Sequence, residues 1–163
     1  MNRNKEYWIG KLHLKPHPEG GFYGETYRSD EEIEKSALPE RYGGNRSFST
    51  QIYFMLVSGN FSAFHKVNSD ETWHFYDGSP VLLHCLHPEN GVITTILGLE
   101  DGAEPQFTIT RGVWFAAEVA DGGDFSLVGC SVAPGFDFND FQLAEKDILY
   151  SQFPLEIVKR LCR

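Results

Sequence analysis

Residues 61–80 read FSAFHKVNSDETWHFYDGSP, and their periodicity decides the fold. In Phe61–Val67 the even positions include Ser62 and Lys66, and a lysine is rarely the buried member of a strand. Strand side chains alternate between two faces, so Ala63, His65 and Val67 are expected to point inward. Asn68-Ser69-Asp70 turns the chain, Glu71–Tyr76 runs as a second strand, and Asp77-Gly78-Ser79-Pro80 turns it again. Both faces of Glu71–Tyr76 carry aromatics. If Glu71 faces inward, Trp73 and Phe75 follow it while His74 and Tyr76 face away. A bulge at the preceding turn reverses that phase.

The same pattern extends in both directions. Upstream, Phe48, Ile52, Phe54 and Leu56 alternate with Ser47, Ser49, Gln51 and Tyr53, and Phe22–Arg28 alternates after the turn Pro16-His17-Pro18-Glu19-Gly20-Gly21. Gln51 and Tyr53 are pocket candidates if their mixed face looks inward, and ordinary surface if not. Residues 5–14 suit a short helix or turn. The charged stretch 29–46, broken by Pro39 and Gly43-Gly44, is expected as a mobile surface loop. Downstream come Val81–Leu86, Val92–Leu97, Gln106–Thr110, Val113–Val119 and Phe125–Ala133. In Val113–Val119, Glu118 assigns Val113, Phe115, Ala117 and Val119 to the inside. Only Leu143–Leu161 reads as helical, and Pro154 divides it. About nine short strands, with turns roughly every 8–12 residues, make an all-β sandwich or barrel.

A chain of 163 residues suits one domain spanning 1–163 and is large enough for a core without disulfide staples. Hydrophobic content of 41%, with 14% aromatic, excludes a disordered chain. No apolar run approaches a bilayer span and the first residues lack a secretory pattern, so a cytoplasmic protein with no membrane partner is expected. Cys85, Cys130 and Cys162 are odd in number and widely spaced, as expected of free thiols in a reducing compartment. A net charge of −9 argues against nucleic acid as partner, because a phosphate backbone demands a dense basic surface. A small anionic ligand is still allowed, since a few local donors suffice to hold one.

His65, then Glu71 six positions on, then Gly78 after six more residues resembles the first cupin motif, and Thr110–Phe115 (TRGVWF) resembles the second. The longer strings HPEGGFYGETYRS, FSAFHKVNSDETWHFYDGSP and LVGCSVAPGFDFNDF are similar to the fifth cupin subfamily, across Leu14 to about Pro154. The resemblance implies a double-stranded β-helix, or jelly-roll barrel, ending here in a short helical segment. It also implies a homodimer. Cupin metal sites use two histidines and a glutamate from the first motif and a histidine from the second. Here one first-motif histidine is missing and the second-motif position is Phe115. His65 and Glu71 are too few for a zinc or iron site, so no metal and no cofactor is expected. His74 becomes a third ligand only if the strand phase is reversed.

His65 and Glu71 are therefore the catalytic candidates, as a pair in which Glu71 fixes the tautomer of a histidine base. Gln51, Tyr53, Trp73, His74 and Phe115 are added as candidate ligand contacts, although aromatics are as readily core. His17 and Glu19 read as turn residues, although an N-terminal strand can edge a barrel mouth, and Asp137 and Asp140 read as solvated turn residues. The subfamily resembles metal-free nucleotide-sugar epimerases, which implies a small-molecule ligand such as a nucleotide or sugar nucleotide. A metal-dependent isomerase or oxygenase and a storage or scaffold cupin are the alternatives, and fold alone does not choose between them.

Overall fold

Strand-forming alternation dominates the chain, and the computed structural model, which describes residues 3–163, turns it into two facing antiparallel sheets. Helix α1 (Lys5–Leu12) opens the fold, capped by the Asn4 side chain accepting from the Tyr7 N–H at 3.0 Å. The strands follow as β1 (Lys15–Pro16), β2 (Phe22–Arg28), β3 (Glu32–Ile33), β4 (Arg46–Ser47), β5 (Thr50–Val57) and β6 (Phe61–Lys66). Next come β7 (Asp70–Gly78), β8 (Val81–His87), β9 (Gly91–Leu97), β10 (Gln106–Ile109), β11 (Phe115–Val119), β12 (Phe125–Ala133) and β13 (Gln142–Leu143). Helices α2 (Lys146–Gln152) and α3 (Glu156–Leu161) close the chain on either side of Pro154.

One sheet has the order β1-β2-β5-β12-β7-β10, the other β13-β6-β11-β8-β9, and β3 pairs with β4 separately. This is the cupin type of jelly roll. Register aligns the inward rows: Ile52 pairs with Cys130, which pairs with Trp73, and Thr50 with Val132, which pairs with Glu71. The rows on either side of Ile52–Cys130–Trp73, which are Gln51–Ser131–Thr72 and Tyr53–Gly129–His74, face outward. Gly129 leaves room there for the ring of the half-exposed Tyr76, which lies across it.

Between the sheets, Phe54, Trp73, Leu83, Leu97, Phe115 and Val128 fill one end of the barrel. The outer faces are partly covered. Helices α2 and α3 bury Leu149, Val158 and Leu161 against Phe64 and Ala116, and α1 packs Trp8, Ile9 and Leu12 against Met55 and Leu127. That is why Phe64 is buried although it faces away from His65.

Two expectations are corrected. Residues 29–46 are not loose: Tyr42 is fully buried and bonds Ser69 through its hydroxyl at 2.9 Å, and Arg41 donates to the Asn68 carbonyl at 2.9 Å. Asp140 is not solvated either. It accepts two bonds of 2.6 Å from Arg46, and both side chains are buried. Charge counts alone could not show that these two segments pair with each other.

Candidate functional site

The site begins at an irregularity in β6. His65 pairs with Phe115 and Ser62 with Ala117, so β6 advances three residues while β11 advances two. This bulge puts Ser62 and His65 on the same inner face, although strict alternation puts them on opposite ones. Where the ladder is interrupted, the Ala63 N–H donates to the Glu19 carbonyl (2.9 Å) and the Ala63 carbonyl accepts from His65 Nδ1 (2.8 Å).

Glu19 reaches this point because of the turn before β2. Gly20 (φ +114°) lies so close to β6 that a Cβ would collide with the Phe61 carbonyl, and Gly21 (φ +72°) continues the left-handed path. The turn thus presses Glu19 into the barrel. Its Oε1 accepts from the Ser62 hydroxyl at 2.8 Å, and its Oε2 stands 3.2 Å from His65 Nε2 and 3.6 Å from His17 Nδ1. Since the Ala63 carbonyl can only accept, His65 Nδ1 carries a proton and Nε2 faces Glu19.

Glu71 is held separately. Its Oε1 accepts from the Trp73 indole N–H at 2.9 Å, and the Cys130 thiol bonds it as well. Burial raises the Glu71 carboxyl to about 7; the His65 charge lowers it, Glu19 raises it, and the two hydrogen bonds lower it again. Burial also raises Glu19 to about 7, against the pull of His17 and Ser62. His65 is pushed below the ordinary imidazole range by burial, with Glu71 and the Ala63 carbonyl pulling back. Burial and Glu71 together keep the Cys130 thiol protonated.

These groups line a cavity of about 200 Å³. Glu19, His65 and Glu71 form its buried end. Ile52, Phe54, Trp73 and Val132 wall it, and Lys15, Glu25, Arg28 and Phe138 stand at its exposed mouth. His17 stands edge-on to Tyr23 (4.7 Å between centroids) and stacks near Phe138 (6.1 Å).

Of the residues singled out from sequence, His65, Glu71 and Trp73 come together at the cavity. Phe115 touches the His65 ring (centroids 4.1 Å apart) but lies wholly in the core, outside the cavity wall. Gln51, Tyr53 and His74 face the other side of their sheet, where His74 meets the Ser131 hydroxyl at 3.3 Å and Tyr53 packs against Tyr76. The carboxylate closest to the His65 ring is Glu19, 3.2 Å from Nε2, while Glu71 acts on the ring as a nearby charge. Glu19 and His17 escaped a reading based on strand periodicity because a turn has none. The paired glycines, which force close approach, were the available signal.

A family model described as the cupin superfamily (DUF985) matches residues 6–144. The chain belongs to that family. This cupin is 29% identical to an uncharacterized protein of Saccharomyces cerevisiae over 143 residues, covering 81% of this chain and 71% of the other. Among solved structures, a Shewanella oneidensis protein superposes with a TM-score of 0.87 at 36% identity, covering 100% of this chain and 99% of the other. A hypothetical protein from Leishmania major gives 0.87 at 32% identity, covering 98% of each chain. An oxalate decarboxylase variant of Bacillus subtilis shares only the fold, at 14% identity and a TM-score of 0.53 over 94% of this chain and 38% of the other.

The cupin fold raises the question of a metal, and the donors present do not fit one. Among the described residues no group of three or more His, Cys, Asp and Glu side chains is arranged to hold a metal ion. His65 has both ring nitrogens engaged within the protein, Glu71 is tied to Trp73 and Cys130, and Phe115 contributes no donor.

Proposed function

We propose that this cupin binds a small molecule in the cavity and exchanges a proton with it through Glu71, without a metal ion. One observation carries the reading: a carboxyl lifted to about 7 stands at the inner end of a ligand-sized, apolar-walled cavity. A group with that affinity both gives and takes a proton at neutral pH, which is what general acid–base chemistry requires. His65 is the charge partner of Glu71. Its nitrogens are occupied by Ala63 and Glu19, so it orients and biases the carboxyl, and Glu71 meets the ligand. Trp73 and Cys130 fix the Glu71 rotamer.

The ligand we assign is a sugar or sugar nucleotide, in keeping with the likeness to metal-free nucleotide-sugar epimerases carried by the sequence motifs. A sugar ring enters the cavity, and the exposed Phe138 at the mouth offers an aromatic face to a base. In an epimerisation of a keto sugar, Glu71 takes the proton from the carbon beside the carbonyl, the carbonyl oxygen carries the resulting negative charge, and water from the open mouth returns a proton to the opposite face of that carbon.

Isothermal titration calorimetry with glucose 6-phosphate and UDP-glucose, in wild type and Glu71→Gln, tests this. The expected result is at least one ligand whose wild-type affinity changes between pH 6 and 8, is unaffected by chelator, and weakens at least about ten-fold in Glu71→Gln. Identical affinities and pH profiles in both proteins would overturn it.

A further inference from the structure

The mouth of the cavity carries three charged side chains that the proton chemistry does not use. Arg28 donates to Glu25 through Nη2 (2.7 Å) and Nε (3.3 Å), and through Nη1 to the Phe136 carbonyl (3.0 Å). Those two charges are committed to each other and to pinning residue 136 against β2. Lys15 is different. Its ammonium lies over the Tyr23 ring, 5.1 Å from the centroid, and among the described residues it forms no ion pair. It is exposed at the mouth of the same cavity whose buried end holds Glu19 and Glu71.

Resting on the pocket reading above, we infer that the ligand carries an anionic group, a phosphate or a carboxylate, held by Lys15 at the mouth. The charge layout gives the orientation. The inner end offers an anion two acidic groups and no cation, a lysine at the mouth attracts it, and the apolar walls between them accept an uncharged body. A ligand with an anion at one end and a hydroxyl or carbonyl at the other therefore enters in one direction, bringing the uncharged end to Glu71.

Size narrows the class. The cavity of about 200 Å³ is smaller than the roughly 300–1,000 Å³ of pockets that enclose drug-sized ligands, so it encloses a single ring or short chain. Anything larger stays outside the mouth, and the phosphate next to the enclosed ring is the one that meets Lys15. A sugar monophosphate and the diphosphate of a sugar nucleotide present the same chemistry at that point.

The test is calorimetric titration of glucose 6-phosphate, UDP-glucose, glucuronate and glucose into wild type, Lys15→Ala and Lys15→Arg, at low and high salt. At least one anionic probe is expected to bind ten-fold or more tighter than glucose, with the gain lost in Lys15→Ala, largely restored in Lys15→Arg and diminished by salt. Which of the two phosphorylated probes binds tighter identifies the source of the phosphate. Glucose binding as tightly as every anionic probe, unchanged affinity in Lys15→Ala, or no binding of any anionic probe at millimolar concentration overturns the inference. Glucose binding that depends on Glu71 but gains nothing from phosphate sinks the inference and leaves the pocket reading standing. Lys15-dependent binding that is indifferent to Glu71→Gln does the reverse.

Discussion

A carboxyl taken out of water costs several kcal/mol unless it is neutral or paired, and Glu19 and Glu71 meet that cost differently. Glu19 lies 3.2 Å from His65 Nε2 and accepts from Ser62; Glu71 is held by Trp73 and Cys130 and stays partly protonated near neutrality. Both are raised from 4.5 to about 7, so between those values the folded protein holds protons that the unfolded chain has released. Their contribution is complete below about pH 4.5 and is lost as pH rises through about 7. The buried histidines His17 and His65 are lowered, so theirs is complete above the ordinary histidine pKa and lost as pH falls. Urea denaturation at pH 5 and pH 8 separates these effects when wild type is compared with Glu71→Gln. Wild type should lose stability relative to the variant on going to pH 8, by at most about 3 kcal/mol. A difference independent of pH would contradict the assignment. His65 and Glu71 were legible from Lys66 and from motif spacing. Ser62 was not, because a bulge shifts phase without leaving a mark in the residue pattern.

At the scale of elements, the cavity depends on two devices that hold non-strand segments against the barrel. The first is the Gly20-Gly21 turn, which lets the backbone approach β6 closely enough for Glu19 to enter. Gly20→Ala should destabilise the fold by roughly 1–3 kcal/mol, since it adds both a collision and left-handed strain. It should also weaken ligand binding by displacing Glu19; thermal denaturation and calorimetry read the two effects separately. The second is the buried Arg46–Asp140 pair, which ties β4 to the segment carrying Phe136 and Phe138. Asp140→Ala leaves a buried guanidinium without its partner and should cost about 3–5 kcal/mol in denaturant midpoint experiments. A loss within ordinary surface variation would show that the pair is not buried in solution. The glycine pair was visible in sequence as a turn, but the ion pair was not, because 29–46 reads as a charged loop and a buried ion pair uses the same residues as a solvated one.

Over the whole molecule, nine of the thirteen strands and the divided helical tail were legible, because turn residues and two-residue periodicity are local properties; the four two-residue strands were not, and residues 5–14 read equally as helix or turn. Which face of the Gln51–Tyr53 strand looks inward was not, since that depends on pairing with β12 and β2. The outer face of the six-stranded sheet exposes Tyr27 and Tyr76, and β9 exposes Ile93 and Ile96. The homodimer implied by the resemblance is expected to cover part of this surface, and sedimentation velocity should then give twice the 18.5 kDa chain mass. A single monomeric species across the accessible concentration range would count against it. The central claim is narrower, that one glutamate at the inner end of the barrel is poised near neutral pH. Carbon-13 NMR titration of the glutamate side-chain carboxyls, assigned with Glu71→Gln and Glu19→Gln, measures this directly. The account predicts a Glu71 resonance titrating with a midpoint near 7, absent from Glu71→Gln. A Glu71 carboxyl that titrates near the ordinary value of about 4.3 would contradict it.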